Sequence, residues 1–131
     1  MNDNKPNVGQ FYWTDITVDN PSELKEFYKQ VLGWKEMEVP MKDGDESYVD
    51  YGMASDPTTP AGGICHNRGK NKGIPPQWIS YFYIDDVEKA LQNTLDLGGE
   101  LLKESRKKDG TLSFVIVKDP QGAVFGMGNL T

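Results

Sequence analysis

Phe11 to Val18 alternates in polarity and is rich in β-prone residues, which predicts a strand. The rhythm then becomes helical. Asn20 suits an N-cap, Pro21 the first helical position, and Glu23 completes a capping box. Leu24, Phe27, Tyr28, Val31 and Leu32 recur at helical spacing as one apolar face, and Gly33 ends the helix. Three further strands are predicted: Trp34 to Pro40, Ser47 to Met53 and Gly62 to His66. Lys42-Asp43-Gly44-Asp45 turns between the first two, and Ser55 to Pro60 reads as a loop.

After a Gly/Lys/Asn/Pro stretch the pattern starts again. Trp78 to Ile84 is strand-like, and Asp85 with Glu88 makes a second capping box. Val87, Ala90, Leu91, Thr94 and Leu95 give a second helical face, stopped by Gly98-Gly99. Glu100 to Glu104, Leu112 to Val117 and Ala123 to Met127 are the closing strands, with turns at Asp109-Gly110 and Asp119-Pro120-Gln121-Gly122. At a constant offset of 66 residues, Val18-Asp19-Asn20 falls on Ile84-Asp85-Asp86, Gly33 on Gly99, and Ser47-Tyr48-Val49 on Ser113-Phe114-Val115. Order and spacing both recur, which is the mark of a duplicated unit. The expected layout is a tail over residues 1–9 and a single domain over 10–131. Within it lie module one (10–66), a linker (67–76) and module two (77–131).

The chain has 131 residues, 37% of them apolar and 26% charged, which fits one globular domain. A net charge of -6 opposes binding to nucleic acid, which needs cations to displace counterions. Arg68, Lys70 and Lys72 cluster, but in a Gly/Asn-rich stretch that reads as a solvated loop. The single cysteine, Cys65, permits no internal disulfide and no cysteine cluster for zinc. No apolar run approaches the ~20 residues that span a bilayer. Met1 to Pro6 is polar, without a signal-peptide pattern, so the expected location is cytoplasmic.

Thr17-Val18-Asp19-Asn20, the Phe27-Tyr28-Lys29-Gln30-Val31-Leu32-Gly33-Trp34 helix end, Tyr83-Ile84-Asp85-Asp86-Val87, Leu97-Gly98-Gly99 and the Asp119-Pro120-Gln121-Gly122 turn cover nearly the whole chain from residue 10 on. Together they resemble the glyoxalase / bleomycin-resistance / extradiol-dioxygenase group, the vicinal-oxygen-chelate superfamily. The resemblance implies an α+β fold: tandem βαβββ modules whose curled mixed sheets form a cup, with the helices outside. A four-stranded sheet with one helix buries only one face, so pairing two modules leaves an inner surface able to hold a ligand. Alternation sends Thr14, Ile16 and Val18 toward the first helix and Trp13, Asp15 and Thr17 into the cup. It likewise sends Ser80, Phe82 and Ile84 toward the second helix and Ile79, Tyr81 and Tyr83 into the cup.

Metal-dependent members of that superfamily hold a divalent ion by one residue on the first and one on the last strand of each module, commonly His, Glu or Gln. Carried over singly, those positions fall on Trp13, His66, Ile79 and Gly126. Trp13, Ile79 and Gly126 offer no side-chain donor, and one histidine is no metal site, because selective binding needs three or more convergent ligands. No metal and no cofactor are therefore expected. His66 reads either as a ligand contact or as a hydrogen-bonded histidine near a strand end. Cys65, which should point opposite to His66, is expected to pack against the first helix. Asp15 reads either as a general base or as an acceptor for a backbone amide or a tyrosine hydroxyl.

The expected function is metal-free binding of a small organic ligand, the one partner foreseen, in an aromatic cup. Its candidate residues are Trp13, Asp15, Tyr51, His66, Tyr81 and Tyr83. A filled inter-module core is the competing reading of the aromatics. A metal-dependent lyase, epimerase or dioxygenase, and a regulatory domain without ligand, are the competing functions. The cup is closed within one chain or by a homodimer, both of which the family uses. If Trp13 stacks on a planar ligand, Trp13→Ala should fold and bind more than tenfold more weakly, a loss of ~1.4 kcal/mol or more readable by titration calorimetry. Unaltered affinity would remove Trp13 from the site, and an unfolded variant would favour the filled core.

Overall fold

Local signals start and stop the helices as the capping chemistry requires. In the computed structural model, which describes residues 5–129, Asn20 caps α1 (Pro21–Leu32). Its Oδ1 accepts the Glu23 main-chain N–H at 3.2 Å, and its Nδ2 donates to Glu23 Oε2 at 2.9 Å. Gly33 closes the helix at φ 73°, a left-handed conformation open to glycine, and returns its N–H to the Lys29 carbonyl. The cap of α2 (Val87–Asp96) lies one residue later than the sequence suggested. Asp86, not Asp85, accepts the Lys89 N–H at 3.1 Å. The Asp85 carboxylate instead accepts the Tyr83 hydroxyl at 2.7 Å. The first four residues of the expected tail, and residues 130–131, lie outside the described residues. Gly9 donates its N–H to the Tyr83 carbonyl.

Among the described residues, eight strands accompany two helices in an α+β fold with mixed pairing. The chain divides into two compact units. One runs from Thr14 to Trp78, and the other takes the chain up to Trp13 together with Ile79 onward. The Thr14–Trp78 unit holds most of β1 (Phe11–Val18), α1, β2 (Lys35–Asp43), β3 (Glu46–Asp56) and β4 (Thr59–His66). Its strands pair in the order β2-β3-β4-β1. β1 and β4 are parallel, while the β2–β3 and β3–β4 pairs are antiparallel. Pro40, which has no N–H to donate, sits in the edge strand β2, where the sheet tolerates it. A single 3-10 turn, Gly69–Asn71, interrupts the segment expected as a linker.

The second unit repeats this plan with β5 (Ile79–Tyr83), α2, β6 (Glu100–Arg106), β7 (Leu112–Lys118) and β8 (Val124–Gly128). Its order is β5-β8-β7-β6, again with first and last strands parallel. The same first-fourth-third-second order, with the helix in the same place along the chain, is what the sequence repeat called for.

Each unit has its own core. Ile16, Met53 and Ile64 are buried with Leu24 and Tyr28 of α1, Trp34, Tyr51 and Trp78 around them. The Trp78 indole N–H donates to the Tyr28 hydroxyl at 2.8 Å, so both large rings bury without losing a polar partner. In the other unit Val87, Leu112, Val115, Val117 and Met127 pack with Ile84, Ala90, Leu91, Leu101 and Phe125. The apolar face read along α1 is only partly used. Leu24 and Tyr28 reach the core, whereas Phe27, Val31 and Leu32 remain more than half exposed. Phe27 packs edge-on to Tyr28 instead, with ring centroids 5.2 Å apart.

Ile64 is fully buried at the centre of the first core, so Ile64→Ala leaves a cavity that the surrounding rings cannot close. The expected loss is about 2–5 kcal/mol in denaturant unfolding. An unchanged midpoint would mean that this cluster does not hold the unit together.

Candidate functional site

Register in the Thr14–Trp78 unit sorts its side chains into two faces. Ile16 pairs with Ile64 across β1 and β4, and both meet α1. Thr17 pairs with Cys65, and Asp15 with Gly63, one residue out of phase, so these look away from α1. Tyr51, opposite Ile64, lies on the α1 side, and the Lys25 ammonium stands 5.1 Å from its ring centre. Its neighbour Asp50 therefore faces the other way, as does Tyr48.

Asp50 organises that second face. It is 4% exposed, and its Oδ1 accepts the His66 main-chain N–H at 2.8 Å. The same oxygen lies 3.1 Å from His66 Nδ1. An ionised carboxylate can only accept, so Nδ1 carries the proton, and in the neutral ring Nε2 presents a lone pair. The His66 ring packs edge-on to Tyr48 at 5.4 Å. The Arg68 guanidinium sits 4.3 Å from the Tyr48 ring centre and pairs with Glu46 at 2.8 Å and Asp43 at 3.4 Å. Burial first, and then the Asp50 charge, push the Tyr48 hydroxyl above its ordinary range.

Cys65 corrects an expectation. It does not pack against α1, because Ile64 takes that direction and alternation turns the next residue away. Burial raises its thiol well above the usual range, with the Asp15 and Asp50 charges and a hydrogen bond to Asp50 adding to the effect. It is held protonated and is a poor nucleophile.

In the other unit Tyr81 and Tyr83 are almost completely buried. Tyr81 packs edge-on to Phe114 at 6.2 Å, and Tyr83 to Tyr12 at 6.4 Å. Tyr81 is the register partner of Gly126, and its ring occupies the space a Gly126 side chain would need, with Cε2 within 2.6 Å of where a Cβ would stand. Ile79 is fully buried. Of the four positions that the resemblance gives to a metal, three thus carry a buried aliphatic chain, a glycine roofed by an aromatic ring and an indole, and the fourth, His66, alone has a side-chain donor. This set does not fit a divalent ion. Among the described residues no three His, Cys, Asp or Glu side chains gather as a metal site.

Of the six residues singled out from sequence, Trp13, Tyr81 and Tyr83 belong to one unit and Asp15, Tyr51 and His66 to the other. Asp15 lies on the Asp50 face, His66 meets Asp50 from the end of β4, and Tyr51 lies on the α1 side. Asp50 and Tyr48, which stand beside His66, were not among them. Asp50 was recognisable in principle as a lone acid between Val49 and Tyr51 in a strand, but its partner lies 16 residues away.

Residues 10–127 match the Glyoxalase/Bleomycin resistance protein/Dioxygenase superfamily, and the chain belongs to it. The Mycobacterium tuberculosis (strain CDC 1551 / Oshkosh) protein CFP32, which bears a provisional glyoxylase name, is 24% identical over 126 residues, as is its Mycobacterium bovis counterpart. These matches take in 92% of this chain but 44% of the relatives, so the chain spans less than half their length. A variant of Streptomyces coelicolor methylmalonyl-CoA epimerase, in complex with 2-nitronate-propionyl-CoA, is similar with a TM-score of 0.53 at 11% identity, covering 94% of this chain and 98% of that one. A superfamily member from Vibrio splendidus 12B01 reaches 0.53 at 14% identity, covering 92% and 99%. At these identities the likeness is one of fold. No described helix is long and apolar enough to cross a membrane.

The raised Cys65 thiol makes two linked expectations. Thiol reagents near neutral pH should modify the native chain far more slowly than the unfolded one. Because the folded value lies above the unfolded value, stability is full below the ordinary thiol range and falls as pH climbs past it. Reaction at equal rates in native and denaturing buffer would contradict the burial.

Proposed function

We propose that the chain is a small-molecule-binding member of the superfamily that works without a resident metal. The observation that supports this reading is the Asp50–His66 pair. A nearly buried carboxylate fixes the orientation and tautomer of the chain's one histidine, whose side chain stays 25% exposed. A fixed, partly exposed polar group on an otherwise packed face is the kind of feature that orients a bound molecule. The misfit of Trp13, Ile79 and Gly126 to a cation supports the metal-free part. Binding is the whole of the activity proposed, with a small organic molecule as partner.

A screen of uncharged and charged organic compounds by thermal shift tests it. A ligand at a hundredfold excess over its Kd adds about 2.7 kcal/mol, several degrees of Tm for a domain of this size. The shift should disappear in His66→Phe, and elemental analysis of the active protein should find no stoichiometric metal. A broad screen without a shift, or one that works only after metal is added, would overturn the reading.

A further inference from the structure

We propose that His66 is a nucleophilic site, whose Nε2 at the end of β4 adds to uncharged α,β-unsaturated carbonyl compounds and holds them as a covalent adduct. This goes beyond reversible binding and concerns a single nitrogen atom, whatever else the chain binds.

The main chain fixes where the ring stands. His66 is the last residue of β4, and its N–H is held by Asp50 at 2.8 Å. Its carbonyl accepts the Arg68 N–H at 2.8 Å as the chain turns away. The ring is held as well, with Nδ1 3.1 Å from the same Asp50 oxygen. Nε2 is the nitrogen left over, and the structure gives it no hydrogen-bond partner. Among the described residues no buried side-chain nitrogen or oxygen lacks a partner, so Nε2 is open to solvent.

Asp50 also prepares that nitrogen for attack. With the proton on Nδ1, the neutral ring keeps its lone pair on Nε2. As the lone pair forms a bond, positive charge grows on the ring, and a carboxylate bonded to Nδ1–H stabilises it. Asp50 is nearly buried, so water screens this effect little. Cys65, the softer nucleophile, is held as the thiol, first by burial and then by the Asp15 and Asp50 charges.

The surroundings choose the electrophile. The guanidinium beside Tyr48, Arg68, is engaged by Asp43, Glu46 and the Tyr48 ring. An anionic reagent would meet the Asp50 charge without a free cation to offset it. Acyl transfer would build an oxyanion on the very carbon under attack, next to Asp50 and with no donor to hold it. Conjugate addition places its charge on a carbonyl oxygen remote from the attacked carbon, out in water. The Nε2 lone pair forms a C–N bond to the β-carbon, and the C=C π pair becomes an enolate. Water then protonates the α-carbon, and the imidazolium gives its Nδ1 proton to the hydroxide left behind.

The experiment treats the whole chain with methyl vinyl ketone at about pH 8, above the ordinary histidine range, and maps adducts by peptide mass spectrometry. With one histidine and one cysteine in the chain, the two sites give separate signals. His66 should gain one whole reagent several-fold faster in the native chain than in urea, while Cys65 reacts faster in urea. NMR of the labelled imidazole should put the new bond on Nε2. Asp50→Asn, with its fold checked by amide dispersion, should slow the reaction several-fold and let part of the Nδ1 proton move to Nε2 in the unreacted ring. If that variant does not fold, the comparison of native and unfolded wild type decides alone. Equal or slower reaction of native His66, a bond at Nδ1, an adduct on Cys65 or a lysine ahead of His66, or an unchanged rate in folded Asp50→Asn would each overturn the proposal. Greater acceleration toward p-nitrophenyl acetate than toward methyl vinyl ketone, each measured against N-acetylhistidine, would overturn the substrate class. The reversible-binding reading is tested apart from this, by unreactive compounds in the thermal-shift screen, so either can fail alone.

Discussion

Parallel pairing between the first and last strand of each unit is the constraint on which everything else rests. Two parallel neighbours cannot be joined by a tight hairpin, so the chain must travel away and return. In the Thr14–Trp78 unit it leaves β1 through α1, runs out to the edge strand β2, and comes back by two antiparallel steps to β4. The helix is thereby carried over one face. The register Ile16 to Ile64 then settles which side chains that helix covers. Slipping β4 by one residue would bury Cys65 under α1 and put Ile64 on the other side. The penalty for exposing Ile64 and burying a thiol bonded to a carboxylate keeps the register in place.

The two faces produced in this way do different work. The α1 side is an apolar and aromatic core, with Trp78 and Tyr28 satisfying each other's polar atoms. The opposite side collects Asp15, Asp50 and Cys65 on three strands, and Asp50 reaches His66 at the end of β4. A buried acid is costly unless its oxygens are engaged. Asp50 meets that cost with the His66 main-chain N–H and ring and the neighbouring thiol. The other unit uses the equivalent strands differently. Tyr81 lies over Gly126, and Tyr83 turns its hydroxyl to Asp85, so aromatic packing takes the place of polar chemistry. One plan repeated in sequence has thus diverged into a polar face and an aromatic one.

Much of the fold was legible because it is written in short-range signals. The Asn20 and Gly33 caps, the turns at Gly44 and Gly122, and the alternation of the strands act within a few residues. Their repetition at a fixed offset identified two units of one kind, and the motifs around Gly33 and Gly122 pointed to the superfamily. The lack of a side-chain metal donor at Trp13, Ile79 and Gly126 was legible too. Tertiary structure alone decided which of two adjacent residues points where, and what stands beside it. Sequence parity set Cys65 on the wrong side, because parity along one strand says nothing about which face the helix will cover. The Asp50–His66 contact joins residues on different strands, and no local preference encodes it. It exists because β3 and β4 pair in one register, and that register is chosen by the burial of Met53 and Ile64 against the helix.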